Sequence, residues 1–348
     1  MGSDIQVLIK QIEMLKLDFN DLLIVPKSTS NISSRSEVNP FTDAGFLPII
    51  TAPMDTVVSE KNIKLFTDNK IGICLPRGVD SLIGFKSYSI SDMQTLLRGY
   101  QDFGLPIKID SYLIDVANGH MEVILELTKA LKEANPFITL MVGNVANPET
   151  YGLLSDAGAD YVRVGIGNGG GCLTTQHTGI GYPMASLIKE CYDVSATLKD
   201  PAYIVADGGM QTYSDVIKAL ALGADWVMLG SVLNKSLESA GDNYLWKKVK
   251  INGFFANFLY NCGATVYKKF RGMSTKEVQR QNGAAVIKTS EGVVRYRKVE
   301  YNLNQWSENF ESYLRSAMSY TGAHNLKEFI GQVDLVQISD NAYKRFNK

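Results

Sequence analysis

Seven short apolar runs between residues 47 and 229 constrain the fold of this chain more than any other feature. Each run ends at glycine, proline or small polar residues, and segments with helical spacing of apolar residues lie between most of them. Nearly continuous apolar runs are typical of strands buried on both faces, and alternation of strands with helices indicates an α/β fold. The predicted strands are residues 47–51, 71–75, 112–114, 138–142, 161–164, 203–205 and 226–229, and the predicted helices are residues 123–134, 148–157, 184–192, 214–222 and 307–319.

Two architectures contain such a parallel sheet, a (β/α)8 barrel and a doubly wound open sheet. An open sheet gathers its special residues at one switch point, whereas a barrel builds its site from the carboxyl ends of many strands. Here every run ends in small, polar or glycine residues, which favours the barrel. The 348 residues, 45% of them hydrophobic, are enough for one barrel-sized core, so we predict a single domain over residues 1–348.

Composition excludes several classes of protein. A net charge of −1 argues against general binding of nucleic acid or an acidic membrane. No apolar run is long enough to span a bilayer, and residues 1–16 have helical spacing but are too charged for a signal peptide. The four cysteines contain no CxxC pair, which predicts neither a disulfide framework nor a zinc cluster. We therefore expect a cytoplasmic protein whose N-terminal helix and arm cover residues 1–40.

The glycine-rich loop 165–171 is the first candidate site. It follows the run 161–164, contains five glycines in seven positions, and leads to Cys172. Such a bare loop leaves backbone groups free to bind an ion or a phosphate, and Cys172 beside two threonines is a candidate nucleophile. A turn followed by a small buried thiol is the alternative interpretation. The loop has the spacing of neither a dinucleotide fingerprint nor a P-loop.

Two further glycine sites follow later runs. Gly208 and Gly209 come after 203–205, and Gly230 precedes Ser231 after the last run. Barrels that bind phosphorylated substrates commonly use backbone N–H groups at such positions. Asp207 would repel a phosphate but suits a diol such as ribose, with a turn-capping carboxylate as the alternative. A nucleotide fits the glycines, Asp207 and a reactive thiol together.

Beyond Ser231 the pattern changes. Residues 243–266 mix aromatic residues with lysines, and Asn252-Gly253 is a predicted hairpin turn. Residues 274–292 are largely polar and are predicted to form a mobile segment beside the active site.

Six motifs occur in order along the chain. They are Ser34-Arg35-Ser36-Glu37-Val38, Pro53-Met54-Asp55-Thr56, the loop from Gly165 to Thr174, Ala206-Asp207-Gly208-Gly209, Met228-Leu229-Gly230 and Arg271-Gly272-Met273-Ser274. Together they resemble the family of IMP dehydrogenase and GMP reductase, and the similarity runs in order from about residue 17 to about residue 338. The resemblance implies a (β/α)8 barrel and, as is usual in that family, a homotetramer.

The chain is more similar to the reductase branch. It lacks the inserted regulatory module that most IMP dehydrogenases carry, and residues 115–119 resemble the reductase pattern. Only 18 positions separate Met273 from Glu291, and Arg295-Tyr296 follows Glu291-Gly292, whereas the dehydrogenase has such a pair before its Glu-Gly. The resemblance implies NADPH-dependent conversion of GMP to IMP and ammonia. An IMP dehydrogenase that uses NAD and a non-catalytic purine-nucleotide-binding relative are the alternatives.

The resemblance also implies a role for individual residues. Cys172 would form a thioimidate at C2 of the purine, and Thr174 and Glu291 would relay the proton that the departing amine needs. Asp207 would bind the ribose. The phosphate would be held by Gly208, Gly209, Gly230 and Ser231, and the base would face Gly272, Met273, Ser274, Lys288, Ser290 and Gly292. The dinucleotide would contact Arg77, Asp115, Val116, Ala117, Gly167 and Met273, together with Ser34 and Arg35 from a neighbouring subunit. Potassium would be bound by carbonyls of Gly167, Gly169 and Cys172.

The chain departs from the family pattern at four places. Gly170 replaces a serine that bonds the phosphate, Thr175 replaces an arginine, and Arg77 replaces a lysine. The segment 231–270 is also longer than usual. Loss of a hydroxyl and a cation near the phosphate leads to the hypothesis of weaker binding or of a different nucleotide, such as a deoxy form.

Overall fold

The computed structural model describes residues 15–273, 275–276, 278 and 292–346. Eight parallel strands form a closed barrel, because each pairs with its neighbour in chain order and the last pairs with the first through Ile50 and Met228. A parallel bridge between Ile50 and Gly72 completes the ring. The fold is therefore the predicted single-domain (β/α)8 barrel. The strands are β1 Ile49–Thr51, β2 Cys74–Leu75, β3 Phe85–Tyr88, β4 Ser111–Asp115, β5 Thr139–Val145, β6 Tyr161–Val164, β7 Tyr203–Asp207 and β8 Trp226–Leu229.

All seven predicted strands are present. The barrel has an eighth strand, β3, which the sequence analysis missed. Its sequence, Phe-Lys-Ser-Tyr, has two polar residues at its centre, and both are buried. Lys86 pairs with Asp110 and lies 3.1 Å from Asp80, and Ser87 donates a hydrogen bond of 2.6 Å to the Leu75 carbonyl. Buried polar groups are tolerated when they are paired, so β3 lacks the apolar signal of the other strands.

Helices cover the outside of the barrel, and the five predicted helices are confirmed. The sequence explains where the helix Tyr213–Leu222 begins and ends. Thr212 and Asp215 form a reciprocal capping box at its start, and Gly223 ends it with a φ of +118°. The α-helices are Ile63–Asp68, Ile90–Phe103, Glu122–Ala134, Pro148–Asp156, Thr174–Thr178, Met184–Ser195, Tyr213–Leu222, Ser231–Asn234, Gly253–Asn261, Leu303–Thr321, Leu326–Phe329 and Asp340–Phe346.

Successive residues of each strand face two different cores. In β4, Tyr112 and Ile114 pack outward against the helices, whereas Leu113 points into the barrel. The interior is filled by one small cluster, so the barrel is a packed core and its carboxyl-terminal end is left for the site. That cluster consists of Ile50, Ala52, Cys74, Leu113, Met141, Val205 and Met228.

A four-stranded antiparallel sheet follows the barrel strands in the chain. It contains β9 Asn243–Leu245, β10 Val249–Ile251, β11 Tyr267–Arg271 and β12 Val294–Lys298, in the order β10-β9-β11-β12. The predicted turn at Asn252-Gly253 was wrong. Asn252 instead caps the helix Gly253–Asn261 by accepting a hydrogen bond of 2.8 Å from the Phe255 N–H. The hairpin turn lies at Trp246 and Lys247, both with positive φ.

Parts of two predicted segments, the N-terminal helix and segment 274–292, lie outside the described residues. Of the helix predicted at 1–16, only residues 15–16 are described, and of segment 274–292 only Thr275, Lys276, Val278 and Gly292. In the N-terminal arm, Leu22–Ile24 pairs antiparallel with Leu335–Gln337, and Arg35–Glu37 forms one 3-10 turn. Among the described helices, none is long and apolar enough to cross a membrane.

Candidate active site

A cavity of about 550 Å³ opens at the carboxyl-terminal end of the barrel. This volume lies in the range that binds small ligands and cofactors. The cavity brings together side chains and loops that are far apart in sequence. The predicted site residues that line it are Arg77, Asp115, Val116, Ala117, Gly167, Gly169, Cys172, Thr174, Asp207, Gly208, Gly209, Gly230, Ser231, Gly272 and Met273.

The glycine loop after β6 is pressed against the loop after β7. A Cβ on Gly165 would lie 2.2 Å from the Asp207 carbonyl oxygen, and its φ of +129° disfavours any other residue. The Gly209 N–H donates a hydrogen bond of 3.0 Å to the Asn168 carbonyl. Close backbone contact therefore explains why both loops are rich in glycine, and it places Cys172 and Asp207 in one cavity.

Cys172 lies half-buried at the end of this loop. Its Sγ donates a hydrogen bond of 3.2 Å to Thr174 Oγ1, and its backbone forms an antiparallel bridge with Gly292. The other cysteines differ in environment. Cys74 and Cys191 are buried, and burial raises the pKa of the Cys74 thiol to about 12, while Cys262 is exposed. The buried-thiol interpretation thus fits Cys74 and Cys191, whereas Cys172 is accessible from the cavity.

Arg163, on β6, was missed at the sequence level and organises the centre of the site. Its Nη1 lies 2.8 Å from Asp115 Oδ1, and its Nε lies 3.0 Å from Asp207 Oδ2. Asn144 Nδ2 also donates to Asp207 Oδ2, at 2.8 Å. Burial alone would lower the pKa of Arg163, but the two carboxylates raise it well above its usual value. The signal available in the sequence was one charged residue inside the run 161–164.

The charges continue across the mouth of the barrel. Arg77 donates a hydrogen bond to the Asp115 carbonyl, and its Nε lies 3.5 Å from Asp115 Oδ2. Arg77, Asp115, Arg163 and Asp207 therefore alternate in sign, so each carboxylate has a cationic neighbour. Both bonds to Asp207 use Oδ2, and among the described residues Oδ1 accepts no hydrogen bond.

Comparison with known proteins adds to this geometry. The family described as IMP dehydrogenase / GMP reductase domain matches residues 104–346. The chain belongs to this family. A "GMP reductase" of Phytophthora infestans is 31% identical over 96% of this chain and 94% of its own. "GMP reductase 2" of Homo sapiens is 30% identical over 96% and 97%, and a "GMP reductase" of Escherichia coli O81 (strain ED1a) is 31% identical over 96% and 98%.

Some site residues expected for this family are not in the cavity of the described chain. Ser34 and Arg35 lie on the exposed arm, where Ser34 caps the 3-10 turn by accepting from the Ser36 N–H. Their contact with a neighbouring subunit stays a prediction. Four further residues lie outside the described ranges, namely Ser274, Lys288, Ser290 and Glu291. Among the described residues, no cluster of His, Cys, Asp or Glu could hold a metal ion.

Thr175, which replaces an arginine of the family pattern, has a structural role in this chain. Thr175 Oγ1 donates a hydrogen bond of 2.7 Å to the Ile180 carbonyl and so closes the turn after the glycine loop. The cavity is also lined by Lys235, Arg295 and Arg297, for which the sequence patterns had indicated no role in binding. Of these, Arg297 lies beside Gly170 and Ser231.

Proposed function

We propose that this chain is a GMP reductase, which converts GMP to IMP and ammonia with NADPH. The observation that carries the proposal is the half-buried Cys172, with Thr174 at 3.2 Å, in a cavity that the glycine loops of β6, β7 and β8 share. Relatives named GMP reductase, similar over nearly the whole chain, support the same substrate. The alternatives are IMP dehydrogenation with NAD and non-catalytic binding of a purine nucleotide.

The nucleotide would lie across the carboxyl ends of β6 to β8. Asp207, held by Arg163 and Asn144, is a fixed carboxylate that can accept hydrogen bonds from the ribose hydroxyls through Oδ1. The phosphate would bind backbone N–H groups of the two glycine loops. This orientation directs the base toward Cys172. Residues for the phosphate are Gly208, Gly209, Gly230 and Ser231, and residues for the base are Gly272, Met273, Ser274, Lys288, Ser290 and Gly292.

The reaction then follows from the position of the thiol. The Cys172 thiol gives its proton through Thr174, and the thiolate attacks C2 of the purine to form a C–S bond. The C–N bond to the exocyclic amine breaks, and the amine leaves as ammonia after Thr174 and Glu291 have relayed a proton to it. Breaking the C–S bond later returns the electron pair to Cys172. The sum is GMP + NADPH + H⁺ → IMP + NADP⁺ + NH₃.

NADPH would occupy the part of the cavity at β2 and β4. When bound, the nicotinamide supplies the hydride that adds to C2 in place of the amine. Arg77 can pair with a phosphate there because it is partly exposed, and Asp115 is compensated by Arg163 and so does not repel the dinucleotide strongly. The contacts proposed for it are Arg77, Asp115, Val116, Ala117, Gly167 and Met273, with Ser34 and Arg35 from a neighbouring subunit.

Three further parts of the proposal concern the assembly. We propose a homotetramer, since Ser34 and Arg35 need a neighbouring subunit to reach a dinucleotide, and a cytoplasmic location. Carbonyl oxygens of Gly167, Gly169 and Cys172 would bind potassium, as hard oxygen ligands do for such cations. Within the single domain 1–348, we propose that the arm 1–40 contacts the neighbour and that segment 274–292 moves as substrate binds.

Absorbance of reduced nicotinamide tests the proposal directly. With GMP and NADPH, wild type and Cys172→Ala are compared with Cys262→Ala, a matched control whose thiol is exposed outside the cavity. We expect consumption of NADPH by wild type and by Cys262→Ala, and none by Cys172→Ala. Activity only with IMP and NAD would instead indicate an IMP dehydrogenase. Binding of purine nucleotide without turnover in either direction would indicate a non-catalytic relative.

The same assay with dGMP tests the hypothesis of a deoxy substrate. Equal turnover of GMP and dGMP would support it. A strict preference for GMP would contradict it and would indicate that Asp207 contacts the 2′-hydroxyl.

A further inference from the structure

The space next to Gly170 is filled by a side chain from a distant part of the sequence. A Cβ built on Gly170 would lie 2.6 Å from Arg297 Nη2, which is too close for any real contact, and 3.4 Å from Ser231 Oγ. Any side chain at position 170 would therefore displace the guanidinium. The glycine and the arginine are structurally coupled, and both border Ser231.

Arg297 is held firmly in this place. It lies on β12, opposite Lys268 of β11, and its guanidinium carbon lies 4.7 Å from the centre of the Phe270 ring. Phe270 is itself only 2% exposed, so the ring is a fixed surface. Arginine stacks on aromatic faces while its N–H groups stay available at the edge of the plane. The stacking therefore orients a donor fork into the cavity.

The charge of Arg297 is not neutralised by the described residues. Its Nε is buried and has no hydrogen-bond partner, and no described carboxylate forms an ion pair with it. The nearby Glu300 carboxylate is instead engaged by Lys235, with Nζ 3.0 Å from Oε2. Burial, and then the like charge of Arg295, lower the pKa of Arg297. An unpaired, partly buried cation is costly, and an anion in the cavity would relieve that cost.

We propose that Arg297 binds the phosphate of the nucleotide and that Gly170 is glycine because it makes room for this guanidinium. The inference rests on the proposed function for the identity of the nucleotide. The ligand group is a phosphate monoester, and two of its terminal oxygens can accept hydrogen bonds from the N–H fork of one arginine. Arg295 lies two residues away on the same strand, lines the same cavity and adds attraction for a dianion.

This coupling makes a specific prediction for double substitution. Gly170→Ser alone places an atom 2.6 Å from Nη2 and moves the guanidinium away from the phosphate, so it weakens binding. In an Arg297→Gln background the same serine meets a shorter side chain and offers its own hydroxyl. The double variant should therefore bind GMP no more weakly than Arg297→Gln alone, a non-additivity expected only of groups that share one space.

Calorimetric titration with GMP and with guanosine separates phosphate contacts from base and ribose contacts. For Arg297→Gln we expect the affinity for GMP to fall about tenfold to hundredfold, as for loss of a charge-assisted hydrogen bond, and that for guanosine to stay unchanged. Arg297→Lys should lose less than Arg297→Gln. Lys298→Gln, the next residue on the same strand and exposed, is the matched control and should bind both ligands like wild type.

The inference would be overturned if folded Arg297→Gln bound GMP with wild-type affinity. If the glutamine variant does not fold, wild-type affinity in both Arg297→Lys and Gly170→Ser would overturn it instead.

A separate case arises if the wild-type protein binds no purine nucleotide, a result that refutes the proposed function. Inorganic phosphate is then titrated. Tighter binding by wild type than by Arg297→Gln would uphold the anion site, whereas equal binding or none would reject it.

Discussion

Replacing Arg163 by methionine is the sharpest test of how the site is built. The substitution keeps a long apolar side chain but removes the guanidinium between Asp115 and Asp207. Both carboxylates are about four-fifths buried, with 19% and 18% of their side chains exposed. Each would lose its bonds to Arg163. Asp115 would keep Arg77, whereas Asp207 would keep, among the described residues, only the neutral amide of Asn144.

The expected loss of stability is large. Removal of one partner from a buried ion pair costs about 3–5 kcal/mol, since the remaining charge is left uncompensated. Domains of ordinary stability unfold with about 5–15 kcal/mol. Arg163→Met should therefore remove at least about a fifth of the free energy of unfolding at pH 7. Arg163→Lys keeps the charge but cannot bridge two carboxylates with a planar fork, so it should restore only part.

Urea unfolding at pH 7 measures the effect. Changing both aspartates to asparagine in the Arg163→Met background removes the charges and should recover most of the lost stability.

The reasoning would be refuted by an Arg163→Met variant that unfolds within about 1 kcal/mol of wild type, the size of an ordinary point mutation. It would also fail if the double asparagine background recovered nothing, because the loss would then come from packing alone. In the folded variant, a rise in KM for GMP with little change in kcat would indicate that Arg163 acts by positioning Asp207.

Three further predictions concern other residues. Burial raises the pKa of Asp225 from 3.8 to about 6, so its protonation stabilises the fold at low pH and this contribution is lost as the pH rises through 6. Asp225→Asn should therefore increase the free energy of unfolding in urea by up to about 3 kcal/mol at pH 7.5, and by about half of that at pH 5; no gain would contradict the assignment. Iodoacetamide should label Cys172 and Cys262 but not the two buried cysteines, as mass spectrometry can show, and GMP should protect Cys172 alone. Tyr151→Phe removes a buried hydrogen bond of 2.6 Å to the Ala202 carbonyl and should cost about 1–3 kcal/mol in urea unfolding; an unchanged midpoint would contradict this.

Strands with apolar buried residues could be predicted from the sequence, whereas the strand with polar buried residues could not. Seven strands were found because most of their residues are apolar on both faces. The eighth contains Lys86 and Ser87, whose burial depends on Asp110 and on the Leu75 carbonyl, partners that only the folded chain brings near. The turn at Asn252 was misplaced for a related reason, because a favourable turn pair can equally cap a helix.

The site divides in the same way. The glycine loop and Cys172 are neighbours in the chain, so the amino-acid sequence by itself displays their pattern. Arg163 could have been noticed as a charge inside an apolar run, although its two partners could not have been named. The contact of Arg297 with Gly170 depends on the register of β12 against β11 and on how that sheet lies over the barrel. No local pattern specifies those two quantities.

The two sides of the cavity differ in charge, because in the described part of the chain the ionised groups are paired on one side and unpaired on the other. At the side of β2, β4, β6 and β7, the charges of Arg77, Asp115, Arg163 and Asp207 alternate in sign and sum to zero, so a ligand there meets little net field. At the side of Gly170, the guanidinium of Arg297 has no counter-charge among the described residues, and Arg295 adds to it. Under the proposals above, we therefore expect a ligand with one anionic end to bind in one orientation, with that end beside Arg297. The neutral purine would then point toward Cys172, as the proposed attack at C2 requires.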